Sequence, residues 1–223
     1  MNGTRYYIGV LAIVCIDQLI KLLVYFNMEL GPDGQVALVG DWFHLHFVLN
    51  PGMAFGMQLG HEWYKLFLTI FRMLAIVAIC WFLWRMLKRR APQMLVWSIV
   101  LILGGAVGNV IDCVFYGVWL GNAPASAPMT LFHGQVVDMF YIDLWDGLVP
   151  DGIPIWGGEY ISLWPVFNIA DVSIFCGVCL LFMKNKAYLF ELGWSSLENP
   201  VEMSEVKAES AVDYPWKNPP SQV

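Results

Sequence analysis

The chain has 223 residues, 58% of them hydrophobic and only 13% charged, with a formal net charge of −6 at pH 7 and a mean hydropathy of +0.60. A soluble domain normally carries about a quarter charged residues, and a core of this size cannot absorb so much apolar surface. The composition excludes an ordinary water-soluble globule, and the lack of a basic patch interleaved with aromatics excludes a nucleic-acid-binding protein.

In chain order, the first long apolar stretch runs from about Tyr7 to Phe26, enough to cross roughly 30 Å of hydrocarbon as a helix. Asp17 and Lys21 interrupt it and no small-residue cleavage site follows, so it reads as a retained span and not a cleaved signal peptide. Comparable spans follow at about 66–87, 95–116 and 164–183, separated by long connections at about 27–65 and 117–163. Basic residues favour the cytoplasmic side of a membrane. Arg5, Arg85, Lys88, Arg89, Arg90, Lys184 and Lys186 all fall at ends that four spans place on one side, while 121–163 contains no Lys or Arg. The expected fold is an α-helical integral membrane protein with four transmembrane helices, both termini cytoplasmic and both long loops outside. Residues 1–187 form the membrane domain. The acidic, proline-bearing stretch 188–223 has the composition of a flexible cytoplasmic tail.

The outer loops carry strand signals. Asp41 to Asn50 alternates polar and apolar residues and ends in Asn50-Pro51-Gly52-Met53-Ala54-Phe55-Gly56, a tight-turn composition. Gln135 to Leu144 is a second β-like run. Together they predict a small extracytoplasmic sheet, with Trp42, Trp63, Trp145, Trp156, Tyr160 and Trp164 suited to the headgroup belt. His44 and His46, two apart on one strand, could with His61 and His133 hold zinc. No His-Glu-x-x-His accompanies them, so interfacial packing is the expectation and no metal or other cofactor is expected. All five cysteines (Cys15, Cys80, Cys113, Cys176 and Cys179) fall inside predicted helices, which argues against a disulfide framework. Cys176-x-x-Cys179 reads as packing.

The polar residues within apolar sequence carry the chemistry. Asp17 and Lys21 are i and i+4 on one helix face and form an expected structural ion pair. Asn109 and Asp112 follow Gly104, Gly105, Ala106 and Gly108, small residues that let another helix approach closely. Asp138 and Asp171 have no basic residue nearby in sequence, and an acid within membrane-like sequence is a functional candidate by default. Asp171 lies about seven residues into the fourth span, with Asn168 on the same face. Two such carboxylates that met could share one proton and activate water.

The ordered set Asp17-Gln18-x-x-Lys21, Asn50-x-Gly52-x-Ala54-Phe55-Gly56, Gly104-Gly105-x-x-Gly108-Asn109-x-x-Asp112, Val136-Val137-Asp138 and Phe167-Asn168-x-Ala170-Asp171 resembles the lipoprotein signal peptidase family. The resemblance spans residues 17 to 171. It implies a membrane aspartic endopeptidase of the bacterial inner membrane, with Asp138 and Asp171 as catalytic dyad near the outer face. Asn50, Gly52, Asn109, Asp112, Asn168 and Ala170 would line or brace the substrate site. The implied substrate is a prolipoprotein whose cysteine carries a diacylglyceryl group, cut just before that cysteine. Its other partners would be membrane lipids, and nothing demands more than a monomer. The sequence departs from the family pattern where an Arg usually follows the helix-three Asp, here Cys113, and in longer outer loops broken by Pro124, Pro128, Pro150 and Pro154. A proton-relay transporter using Asp17, Asp112 and Asp171, or a non-catalytic binder of lipidated peptides, would carry some of the same residues. Against the transporter, no inverted repeat is apparent.

Overall fold

The computed structural model describes residues 3–52, 62–144, 146–148, 150, 152, 158, 160–162 and 164–189. Ala54, Phe55, Gly56, His61, Trp145, Pro154, Trp156, the side chain of Tyr160 and the tail from residue 190 onward lie outside the described residues.

Four long helices dominate. They are α1 (Thr4–Asn27), α2 (Glu62–Lys88), α3 (Gln93–Ile111), which continues through a π-helical turn (Asp112–Tyr116) into the short α4 (Gly117–Trp119), and α5 (Ile169–Leu189). Three segments, Thr4–Asn27, Trp63–Lys88 and Gln93–Trp119, are long and apolar enough to cross a membrane, and Ile169–Met183 is a shorter apolar helix. Their surfaces leave Leu11, Leu19, Phe26, Phe67, Phe71, Leu74, Phe175 and Phe182 exposed. In water, apolar surface this extensive would drive association; against hydrocarbon it costs nothing.

Two small antiparallel sheets complete the described fold. β1 (Val36–Val39), β2 (Phe43–Asn50) and β3 (Val136–Ile142) pair in that order, and β4 (Asp146–Leu148) pairs with β5 (Tyr160–Ser162). The two strands expected from alternation are β2 and β3. The other three are short, and three or four residues give too little alternation to read. The fourth helix begins at Ile169, not near Trp164, because Pro165 precedes a residue, Phe167, whose backbone is paired with Phe140 in β3. Asp171 accordingly sits in the first turn of α5.

The chain divides into two compact units, Met1–Leu180 and Leu181–Val223; of the second, Leu181–Leu189 are described and continue α5. In the first unit, Tyr6, Leu83, Met86, Val96, Ile99, Val100 and Leu103 form a buried cluster joining α1, α2 and α3. A second cluster, Val24, Phe47, Tyr116, Val137 and Met139, fastens the sheet to the ends of α1 and α3.

Between helices, glycine substitutes for the hydrophobic effect that lipid removes. A β-carbon on Gly104 would press on Ile13 of α1, one on Gly108 would meet the Asp17 carboxylate, and one on Gly105 would land on the Ala170 carbonyl of α5. The Gly105 contact is with backbone, which cannot swing aside. Gly105→Val is therefore expected to force α5 away from α3 at a cost of roughly 1–3 kcal/mol or more. A thermal unfolding midpoint equal to wild type in detergent would refute this packing.

Candidate active site

The site is assembled at the outer edge of β3 and the start of α5. Val137 and Met139 are fully buried in the second core cluster, so Asp138 between them points to the opposite face of the strand. β2 lies beside β3 with Leu45 opposite Phe140 but Val48 opposite Asp138, so β2 holds one extra residue between these pairs. That bulge reverses which residues of β2 share a face with Asp138. Because of it, Asn50 lands diagonally beside Asp138 and donates from Nδ2 to Asp138 Oδ2 at 2.9 Å. The Gly52 N–H in turn donates to Asn50 Oδ1 at 2.7 Å, in a turn where Gly52 adopts φ +90°, which favours glycine.

The other edge of β3 positions α5. The N–H groups of Met139 and Phe140 donate to the Phe167 carbonyl, and the Phe167 N–H returns a bond to Phe140. The next residue, Asn168, caps α5. Its Oδ1 accepts the Asp171 N–H at 3.0 Å, and the Asp171 carboxylate accepts the Asn168 N–H at 3.2 Å. This reciprocal arrangement is a capping box with Asn and Asp in place of the usual Ser/Thr and Glu. Asn168 Nδ2 also donates to Asp138 Oδ1 at 2.6 Å. One asparagine thus joins both aspartates. Asp171 Oδ1 further accepts from Asn109 Nδ2 at 2.8 Å.

Asp138 is 2% exposed. Burial, and then the neighbouring Asp171 carboxylate, push its acid dissociation up to about 7; the amides of Asn50 and Asn168 and the Lys21 ammonium pull the other way. It is therefore poised to hold or release a proton near neutrality.

Beneath the two aspartates lies a buried charge cluster. Lys21 Nζ lies 2.8 Å from Asp17 Oδ2 and 2.7 Å from Asp112 Oδ2 as ion pairs, and donates to Asn109 Oδ1 at 2.9 Å. Asp17, Lys21 and Asp112 are each 0% exposed. Asp17 Oδ1 accepts the Ala170 N–H of α5 at 2.9 Å, an orphan donor of the first helical turn. Gln18 Nε2 donates to Asp112 Oδ1 at 2.8 Å, and its Oε1 accepts from the Tyr116 hydroxyl at 3.0 Å.

The expected Asp17–Lys21 pair is present and larger than the sequence suggests, because Asp112 joins it. Asn50, Asn109 and Asn168 contact the two aspartates, Gly52 orients Asn50, and Ala170 supplies the small side chain and N–H that let α5 approach Asp17. Asp112 faces Lys21 and Gln18, one shell away from Asp138 and Asp171. His44 Nε2 lies 3.0 Å from the Asp41 carbonyl, and His133 Nδ1 lies 3.1 Å from that of Leu131. Among the described residues, no group of three or more His, Cys, Asp or Glu side chains converges. Sequence reasoning missed Arg72 of α2, whose Nη1 donates to Cys113 Sγ and whose Nη2 donates to the Gly52 carbonyl, each at 3.3 Å. A lone arginine deep in an apolar helix is itself the signal that could have found it.

The fold is one shared with a solved bacterial membrane enzyme. A solved structure described in those terms, determined by the in meso method at 1.9 Å, superposes with a TM-score of 0.54 at 23% identity, covering 81% of this chain and 91% of that one. Residues 9–186 match the Signal peptidase (SPase) II family. The lipoprotein signal peptidase of Amoebophilus asiaticus (strain 5a2) is 48% identical over 201 residues, 90% of this chain and 81% of its own length. That of Porphyromonas gingivalis is 40% identical over 185 residues, 78% and 79%. The chain belongs to the signal peptidase II family.

The charge cluster has a direct test. Lys21→Met leaves two buried carboxylates without their cation, a change costing about 3–5 kcal/mol. The triple replacement Asp17→Asn, Lys21→Met, Asp112→Asn should recover part of that loss in thermal unfolding. If Lys21→Met unfolds at the wild-type temperature, the cluster is not what holds α1, α3 and α5 together.

Proposed function

We propose that the chain is an aspartic endopeptidase that removes signal peptides from diacylglyceryl-modified prolipoproteins, hydrolysing the bond just before the lipidated cysteine. The observation that carries this reading is the Asn168 bridge, which bonds Asp138 with one side-chain group and Asp171 with the other and with its own N–H. The family and the names of the relatives supply the substrate class.

Asp138 is buried and Asp171 is half-buried beside it, so the two carboxylates cannot both ionise cheaply and share one proton. The ionised member takes a proton from a water held between them. The resulting hydroxide attacks the scissile carbonyl while the protonated partner donates to its oxygen, giving a tetrahedral gem-diol. Collapse of the gem-diol with proton transfer to the leaving nitrogen breaks the C–N bond and restores the shared proton. No step calls on a metal, a nucleotide or a covalent intermediate. Asn50 and Asn109 each hold one carboxylate from outside the pair, so neither acid can rotate away as charge moves.

The same reading sets the topology. All four long helices cross the inner membrane, both termini lie in the cytoplasm, and the sheet and dyad sit near the outer face. The acyl chains stay in lipid while the polar bond reaches the dyad, and a monomer suffices.

Asp138→Asn and Asp171→Asn are each expected to lower processing of a lipidated prolipoprotein by on the order of 10³-fold or more, followed as a band shift on a gel. Wild-type processing by either variant would remove the dyad assignment. Activity should fall as pH rises through about 7, where Asp138 loses its proton. Asn50→Leu removes a donor that favours the ionised form, so it should move the alkaline limb to higher pH. A limb that stays put or moves down would contradict the assigned role of Asn50.

A further inference from the structure

One face of α2 carries cations that the peptidase reading does not use. Lys65, Thr69 and Arg72 are spaced i, i+4 and i+7 and share one side of the helix. Trp63, Phe67, Phe71 and Leu74, exposed by 59%, 68%, 60% and 64%, occupy the opposite side. The cations therefore turn inward, away from hydrocarbon. Lys65 is 8% exposed, and its Nζ has no hydrogen-bond partner among the described residues. Among the described residues, Arg72 donates to neutral acceptors, Cys113 Sγ and the Gly52 carbonyl. The Thr69 hydroxyl, bonded to the carbonyls of Lys65 and Phe132 at 2.8 and 3.1 Å, locks this face against the loop that leads into β3.

A buried ammonium without a partner is costly. Such a group persists where a ligand brings the opposite charge. The direction of that ligand follows from the hydrogen bonds. Arg72 holds the Gly52 carbonyl, the Gly52 N–H holds Asn50, and Asn50 holds Asp138 at its Oδ2. Three bonds connect the guanidinium to the dyad, a span on the order of three residues of extended peptide.

We infer that Lys65 and Arg72 form a subsite for a substrate carboxylate, an Asp or Glu side chain within about three residues of the scissile bond. The inference rests on the peptidase reading above. A signal peptide ends in an apolar region and small residues, so the acidic side chain belongs to the mature segment that follows the lipidated cysteine. Arg72 supplies a planar fork matched to a carboxylate, and Lys65 a point charge beside it. The inward direction of both side chains favours the peptide over the phosphates of bilayer lipids.

The test uses the purified full-length chain and two lipidated peptides that differ only after the cysteine, one carrying Asp and Glu at the second and third following positions, the other Asn and Gln. Wild type should cleave the acidic peptide with a kcat/KM about tenfold higher, mainly through KM. In Lys65→Gln the ratio should fall toward one, and in Lys65→Glu it should invert in favour of a peptide with Lys at those positions. A wild-type ratio of one, which needs no variant to fold, overturns the inference, as does an undiminished ratio in Lys65→Gln. A ratio of one together with faster cleavage in phosphatidylglycerol than in phosphatidylcholine nanodiscs, dependent on Lys65, would assign the cations to lipid headgroups and overturn it too. Cleavage of neither peptide by wild type would refute the peptidase reading itself, an outcome distinct from equal cleavage of both.

Discussion

The structure depends on one buried ammonium. Lys21 reaches Asp17 of its own helix, Asn109 of α3 and Asp112 of the π-helical turn that follows it. Each of these partners then reaches further. Asp17 accepts the Ala170 N–H at the start of α5, and Asn109 donates to Asp171. A charge in an apolar surrounding must find opposite charge or be expelled, and here the partners that satisfy it come from separate parts of the chain. Helix packing in lipid has little hydrophobic drive of its own. The charge cluster and the glycines at 104, 105 and 108 take over that role, the first by attraction and the second by permitting contact.

That arrangement explains why the two aspartates of the site can be held so closely. Asp171 belongs to the capping box of α5, so the bonds that start the helix are the same bonds that orient the carboxylate. Asp138 belongs to a strand whose two edges are occupied, by β2 on one side and by Phe167 on the other. Neither acid depends on a free side-chain rotamer for its place. Burial, and then the Asp171 carboxylate, keep Asp138 near neutrality in its proton affinity, and the amides of Asn50 and Asn168 pull against them without cancelling them. The π-helical turn serves the same end. It widens α3 so that the Cys113 and Val114 carbonyls accept the N–H groups of Gly134 and Phe132, and the loop so captured enters β3 two residues later.

Much of this was legible beforehand, for physical reasons. A bilayer makes each intramembrane polar residue expensive, so Asp17, Lys21, Asn109, Asp112, Asp138 and Asp171 stood out against their surroundings. Period-two alternation marked β2 and β3. The short strands β1, β4 and β5 gave no such signal, and the start of α5 was placed too early because the apolar run continues through Trp164 to Phe167 while the backbone there is paired with a strand. Arg72 went unremarked because its meaning lies in Gly52 and Cys113, which are remote in sequence.

The sequence by itself determined that this is a membrane protein of long apolar helices, which acids are costly, and which family it belongs to, because composition and residue order are local properties. Only the tertiary structure decided that Asn168 ties Asp138 to Asp171, that Asp112 completes the Lys21 cluster, and that a bulge in β2 brings Asn50 to the right face. Those outcomes depend on strand register and helix approach. A shift of one residue in either would leave composition and motifs unchanged while turning the critical side chains away from one another.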